Sequence, residues 1–393
     1  MLNNKKNSIV SYFKINYYNK MKIKKIAIMH PTFGYNGGAE NVILATVKHL
    51  YEKYNIECCI YTYRLRENVP DYIKQIKTEI TLNPFIFRKT AKFLAYQLKD
   101  YDAILIHNFP ATIFFGLAYK YAKKNSIKLP KSFWYCHEPS VRLYGEDDKS
   151  YKAKQKTLDF VARYTMKLDR LGVSVIDYIM ANSERTSNSV RRVYNRDSKV
   201  IYPCVTGFDD IMNIREAEHF FYVGRLEKVK NIENAIIAFK SFLERIDNKD
   251  LKFIIAGKGR YEEKLKKLVY TIGMERNIIF VGFISDEEKK DLLNRSYCLV
   301  MPAINEPFGL TVIEALYSSC ISIISKHSGV YEAAKDCSIS CDMSSVNDIS
   351  NSMYEVYINN NNIKRKLLSN DILSIFRVEN YCSSVLEYIE NSL

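Results

Sequence analysis

The densest chemistry in the sequence is the run Glu306-Pro307-Phe308-Gly309-Leu310-Thr311-Val312-Ile313-Glu314-Ala315. Pro307 suits a first helical turn, and Gly309 leaves room for a ligand close to the backbone. Phe308, Gly309, Leu310 and Thr311 then offer backbone N–H groups that no helical carbonyl can take, which suits a phosphate. Glu306 precedes the helix and Glu314 lies about two turns inside it. Helical side chains lean toward the N-terminus, so both carboxylates can reach one extended ligand. Carboxylates only accept hydrogen bonds, which fits hydroxyl pairs on a sugar and on a ribose.

Three other loops carry chemistry. In Gly224-Arg225-Leu226-Glu227-Lys228-Val229-Lys230-Asn231, Arg225 leaves a strand end, Lys230 sits by the next helix start, and the two could clamp a diphosphate. In Gly34-Tyr35-Asn36-Gly37-Gly38-Ala39-Glu40, Gly37 and Gly38 would let a backbone approach an anion, without the spacing of a dinucleotide or P-loop site. In Trp134-Tyr135-Cys136-His137-Glu138-Pro139, His137 follows a strand and could donate to a sugar hydroxyl or a phosphate. Gly257-Lys258-Gly259 and Gly282-Phe283-Ile284 more weakly suggest a nucleoside border, with Gly257 and Ile284 as contacts. Taken singly, each of these also reads as a turn, a satisfied histidine or solvated bases.

The elements that must hold these loops alternate. Strands are expected at Ile23–His30, Glu57–Tyr63, Asp102–His107, Lys131–Cys136, Asp177–Ala181 and Lys199–Tyr202, with helices at Asn41–Tyr54 and Phe114–Lys123. The pattern restarts with strands at Phe220–Val223, Leu251–Ala256, Ile278–Val281, Cys298–Met301 and Ile321–Ile324. Helices fall at Asn231–Leu243, Tyr261–Ile272, Asp286–Asn294 and Gly309–Ser318. Such alternation predicts an α/β protein with two Rossmann-like, doubly wound parallel sheets. The expected divisions are an extension at 1–20, domains at 21–205 and 218–375, a linker at 206–217, and a C-terminal helix at 376–393 returning to the first domain. Ligands of such sheets bind at the carboxyl ends of the strands, and the expected site is the cleft between the domains.

With 47% hydrophobic and 26% charged residues, the 393-residue chain is neither disordered nor a disulfide scaffold. Nine cysteines without a Cys-x-x-Cys pair suggest reduced, cytoplasmic thiols. No secretory signal or membrane span is expected. Residues 1–214 carry 35 basic and 19 acidic groups, and the remainder 23 and 25. The front half should therefore meet something anionic.

In this order and spacing, Gly37-Gly38-Ala39-Glu40, Gly224-Arg225-Leu226…Lys230-Asn231 and Glu306…Glu314-Ala315 resemble the signatures of the family 4 retaining glycosyltransferases, of GT-B fold. The resemblance implies that Glu306 holds the donor sugar hydroxyls and Glu314 the ribose. Arg225 and Lys230 would hold the diphosphate together with the Phe308–Thr311 amides, and His137 would contact the donor sugar near the reaction centre. Gly37 and Gly38 would let donor phosphate and acceptor meet. It further implies a hexosyltransferase, with mannose the candidate sugar, that uses a UDP- or GDP-linked sugar as co-substrate and no other cofactor. With the positive charge at the diphosphate assigned to Arg225, Lys230 and the helix dipole, no essential metal is expected. The acceptor would be a glycan or lipid-linked glycan, with peripheral contact to an anionic membrane on its cytoplasmic face. The candidate contacts there are bases within 120–131, 149–156 and 191–196, interleaved with Tyr119, Tyr121, Tyr151 and Tyr194. An epimerase of related fold, or a non-catalytic nucleotide-sugar binder, is the alternative. The basic half carries no nucleic-acid-binding motif.

Overall fold

The computed structural model describes residues 22–34, 37–79, 84–145, 158–208, 210–367 and 371–393. The extension at 1–20, Tyr35, Asn36 and the bases at 149–156 lie outside the described residues. The chain divides into two compact units. One holds the described residues through Asn182, Thr186–Ile201 and Val378–Leu393; the other holds Ser183–Arg185 and Tyr202–Arg377.

The first unit runs β1 (Lys25–Met29), α1 (Gly38–Tyr54), β2 (Glu57–Thr62), β3 (Lys74–Lys77), α2 (Pro84–Leu98), β4 (Ala103–His107), α3 (Ala111–Lys124), β5 (Lys131–Cys136), α4 (Val141–Tyr144), α5 (Leu158–Ser174), β6 (Tyr178–Ala181), α6 (Glu184–Tyr194) and β7 (Lys199–Val200). Its strands form one parallel sheet in the order β3-β2-β1-β4-β5-β6-β7. Every residue of β4, AILIH, is buried. Continuous apolar strands of this kind mark a parallel sheet covered on both faces by helices.

The second unit runs β8 (His219–Val223), α7 (Ile232–Leu243), β9 (Lys252–Ala256), α8 (Glu262–Thr271), β10 (Ile278–Gly282), α9 (Asp286–Asn294), β11 (Ser296–Val300), α10 (Leu310–Tyr317), β12 (Ile321–Ser325), α11 (Tyr331–Ala334), β13 (Ile339–Cys341) and α12 (Val346–Leu367). Its parallel sheet has the order β10-β9-β8-β11-β12-β13. Adjacent residues of β8 feed opposite layers: Phe220 joins Phe239, Phe242 and Phe253, while Phe221 joins Leu299, Phe308 and Val312. This is the period-two alternation of a strand buried on both sides.

Helix α13 (Val378–Glu390) belongs to the first unit and packs on α1. It buries Tyr381, Cys382, Val385, Leu386 and Ile389, and Tyr381 meets the Tyr135 ring edge-on at 5.5 Å.

The structure differs from the expectations in three places. The segment expected as a linker, 206–217, lies along the second unit. Phe208 is buried against Tyr317, and Met212 N–H donates to Tyr317 O at 2.8 Å. Apolar Phe208 and Met212, among residues that read as loop, drive that docking. Elements β3, α2, α4, α5, α11 and β13 were not foreseen; β3 (KQIK) offers one apolar residue and no alternation. Finally, part of 191–196 is engaged within the protein, while Arg192 stays exposed. Arg191 pairs with Asp197 at 2.8 Å, Arg196 donates to the Val173 and Ile176 carbonyls, and Tyr194 donates to buried Asp169 at 2.7 Å. Only folding reveals that these polar groups serve internal contacts.

Candidate active site

In the second sheet β8 and β11 are neighbours, and the strand order reverses between them. Loops leaving such a pair diverge and open a crevice at their carboxyl ends. The loop after β8 contains a 3-10 turn, Lys228–Lys230, closed by Asn231 in the left-handed region at φ 56°. The Asn231 amide donates to Pro302 O at 3.0 Å and Met343 O at 2.7 Å, which ties this turn to the loop after β11. Lys230 Nζ consequently lies 2.6 Å from Glu306 Oε2, both side chains being about one-seventh exposed, at 16% and 14%. Arg225 stands exposed at the rim, with no carboxylate partner among the described residues. Its carbonyl accepts from the Tyr222 hydroxyl at 3.0 Å. Burial and the negative charge of Glu306 push that phenol's pKa up, while Arg225 pulls it the other way.

The Glu306–Gly309 loop is fastened from the β12 side. Gly329 N–H donates to Glu306 O and Val330 N–H to Phe308 O, each at 2.9 Å. The Phe308 ring is buried, 6.0 Å from the Tyr202 and Phe376 rings, so this residue offers a ligand only its backbone. Gly309 has φ 109°, which side-chain-bearing residues rarely adopt, and it sets the start of α10. The first-turn N–H groups of Leu310 and Thr311 then lack helical acceptors.

Glu314, on α10, places Oε1 3.0 Å from Lys289 Nζ of α9, and Lys289 also reaches Asp286 at 3.1 Å. Burial alone would lower the Lys289 pKa, yet the charges of Glu314 and Asp286 outweigh it and the pKa is raised. Sequence reasoning missed Lys289. Its pairing with Asp286 three residues earlier was visible, but its approach to Glu314 depends on α9 packing beside α10.

The weaker nucleoside loops have structural work of their own. Gly257, at φ 129°, packs so closely on the Gly224 carbonyl that a Cβ would collide with it, and its N–H donates to Gly282 O at 2.6 Å. Ile284, like Leu292 and Leu310, is partly buried against the apolar cluster that includes Phe308 and Val312.

In the first unit, His30 follows β1, His107 ends β4 and His137 follows β5. Because β1, β4 and β5 are consecutive in the sheet, the three imidazoles gather at one end. His107 Nδ1 lies 3.2 Å from His137 Nε2, and the His30 Nε2 atom lies 3.1 Å from the Asn108 amide and 3.5 Å from Glu40 Oε1. The Tyr135 ring lies against His107 and His137 at 5.6 and 5.0 Å. Burial lowers all three pKa values: His30 to about 3, His137 to about 4, and His107 well below its ordinary value. The array is therefore neutral near pH 7, suited to hydrogen bonding and not to charge. Gly37 is the extended N-cap of α1 and Gly38 its first residue, and the Glu40 carboxylate folds back against Gly37. His30 and His107 were missed, although each ends a strand as His137 does. Among the described residues no group of three His, Cys, Asp or Glu has metal-binding geometry.

Residues 210–371 match the model of the family described as Glycosyl transferases group 1. The chain is 24% identical over 225 residues to alpha-1,3/1,6-mannosyltransferase ALG2 of Mus musculus, covering 51% of this chain and 52% of that protein. It is 30% identical over 165 residues to the O-antigen chain mannosyltransferase RfbU of Salmonella typhimurium, covering 41% and 46%. It thus spans about half the length of these curated relatives. Among solved structures, the Anabaena HepE protein in complex with UDP-glucose has a TM-score of 0.71 at 16% identity, covering 94% of this chain and all of that one.

Proposed function

We propose that this chain, a two-unit protein of GT-B fold whose second unit matches the group 1 glycosyl transferases, is a retaining, nucleotide-sugar-dependent hexosyltransferase. The observation that carries the reading is the convergence at the second sheet's order reversal. Lys230 and Glu306 meet from its two sides, and α10 begins beside them with Glu314 held by Lys289. Mannosyl transfer is favoured by the likeness to two mannosyltransferases.

In this reading Glu306 accepts from donor sugar hydroxyls and Glu314 from the ribose. Departure of the nucleoside diphosphate leaves charge on its distal phosphate. Lys230, Arg225 and the amides of Gly309, Leu310 and Thr311 at the α10 N-terminus stabilise that charge, a preorganised effect of about 3–4 kcal/mol per well-aimed donor. The acceptor hydroxyl attacks from the face the diphosphate leaves, and the departing phosphate takes the proton. His137, neutral, donates to or accepts from the donor sugar. Metal independence follows in this reading, because the cationic work is assigned to side chains and the helix dipole. The acceptor is a glycan or lipid-linked glycan, met at an anionic membrane on the cytoplasmic side.

The test is a panel of UDP- and GDP-sugars, read by donor hydrolysis and by the rise in melting temperature. One donor that is hydrolysed and stabilises the protein in the presence of EDTA supports the reading. Stabilisation without any turnover, even with glycan acceptors, would leave a nucleotide-sugar binder instead.

A further inference from the structure

The sequence carries its excess of positive charge throughout the front half, but folding concentrates it. Helix α2, PFIFRKTAKFLAYQL, and helix α3, ATIFFGLAYKYAKK, pack side by side and contain no acidic residue between them. Their inner faces are ordinary core: Phe87, Leu94 and Leu98 on α2 meet Phe114 and Ala118 on α3. The outer stripe of α2 is Lys89, Lys92, Phe93 and Tyr96, at the i, i+3, i+4, i+7 spacing that puts residues on one face. Phe93 is 38% and Tyr96 44% exposed. The outer stripe of α3 is Lys120, Tyr121 and Lys124, and the Tyr96 and Tyr121 rings lie 6.5 Å apart, joining the two stripes. Lys99 covers the Tyr96 ring at 5.7 Å. None of these lysines has a carboxylate partner among the described residues, and the first acidic residue after α2 is Asp100, beyond the end of the helix.

We infer that this α2–α3 face docks on an anionic bilayer, with Phe93 and Tyr96 entering the headgroup boundary and the lysines meeting lipid phosphate. The inference deepens the proposed function, since it rests on an acceptor presented at a membrane. An outward helix face ordinarily mixes both signs of charge, which keeps it from any one partner. Two adjoining faces of one sign with central aromatic rings have the composition of an interfacial surface. No described helix is long and apolar enough to cross a membrane, so attachment through this face is peripheral. It also extends the contacts expected from sequence: Lys120, Lys124 and Tyr121 lie on this face, and α2 adds Lys89, Lys92, Phe93 and Tyr96.

The full chain is sedimented with neutral and with phosphatidylglycerol-containing vesicles, at low and high salt. The wild type should bind the anionic vesicles at low salt and release at high salt. Lys89→Glu/Lys92→Glu and Phe93→Ser/Tyr96→Ser should each weaken that binding by about tenfold or more. The control pair Lys267→Glu/Arg276→Glu, exposed bases of the second unit, should bind as the wild type does. Loss in the control equal to that in the α2 variants, vesicle binding unchanged in those variants, or tighter binding to duplex DNA than to vesicles would overturn the inference. Donor hydrolysis in solution is measured on the same variants. Its persistence with no vesicle binding anywhere would overturn the docking face alone, whereas its absence from the wild type would strike the enzyme reading itself.

Discussion

Lys230 Nζ and Glu306 Oε2 lie 2.6 Å apart although their residues are 76 positions apart in the chain. A parallel sheet whose order reverses between β8 and β11 brings the two loops together, and Asn231 locks one against the other. A second such pair, Lys289 with Glu314, repeats the arrangement on α9 and α10. Each carboxylate therefore waits beside a cation. In the proposed reading, Arg225 and the start of α10 meet the incoming diphosphate, and Lys230 shares itself between Glu306 and a phosphate.

The pairing of Lys230 with Glu306 predicts a separation of stability from activity. Lys230→Met or Glu306→Gln leaves one partly buried group without its partner, at about 1–3 kcal/mol. Each should also lower donor turnover by about a hundredfold or more. The double variant should recover stability and stay inactive. Chemical denaturation with turnover assays checks this, and a double variant no more stable than the singles would show that the ion pair is not what couples them.

Lys289 is predicted to act on donor binding through Glu314. Lys289→Met should raise the donor KM by roughly tenfold while kcat changes little, because uniform binding is lost and not transition-state stabilisation. Steady-state kinetics over a donor series decides it. A fall in kcat at constant KM would place Lys289 in the chemical step instead.

The histidine array predicts acid sensitivity with a defined sign. His30 and His137 have folded-state pKa values of about 3 and about 4, below the ordinary 6.5. Above about 6.5 both states are neutral and pH has no effect through them. As pH falls from about 6.5 toward 4 the unfolded chain takes up protons first, so stability drops. A tenfold difference in proton affinity between the two states is worth about 1.4 kcal/mol. Thermal melts across this window should show the decline, and His30→Asn should reduce it. A flat profile in the wild type would contradict the buried, neutral array.

Much of the site was legible because its chemistry is local. The run from Glu306 to Glu314 needs only a helix start, and Pro307, Gly309 and the following apolar residues announce one. Strands β4 and β5 and helix α9 matched or nearly matched the sequence reading, since continuous apolar runs and alternating helices leave few other architectures. Helix α2 was passed over despite its amphipathic pattern, and β3 has no pattern to read. Asn231 looked like a helix start, and only the fold shows its amide reaching Pro302 and Met343.

The sequence by itself determined the class of fold, the strand-end loops and the residue types at their tips, because apolar periodicity and turn chemistry act over a few residues. The tertiary structure alone decided which tips meet. Strand order sets that, and it placed Lys230 on Glu306, drew His30 and His107 beside His137, and left Tyr194 inward on Asp169. It also turned a diffuse excess of lysine into one acid-free face on α2 and α3, since long-range packing chooses which stripe of each helix remains outside.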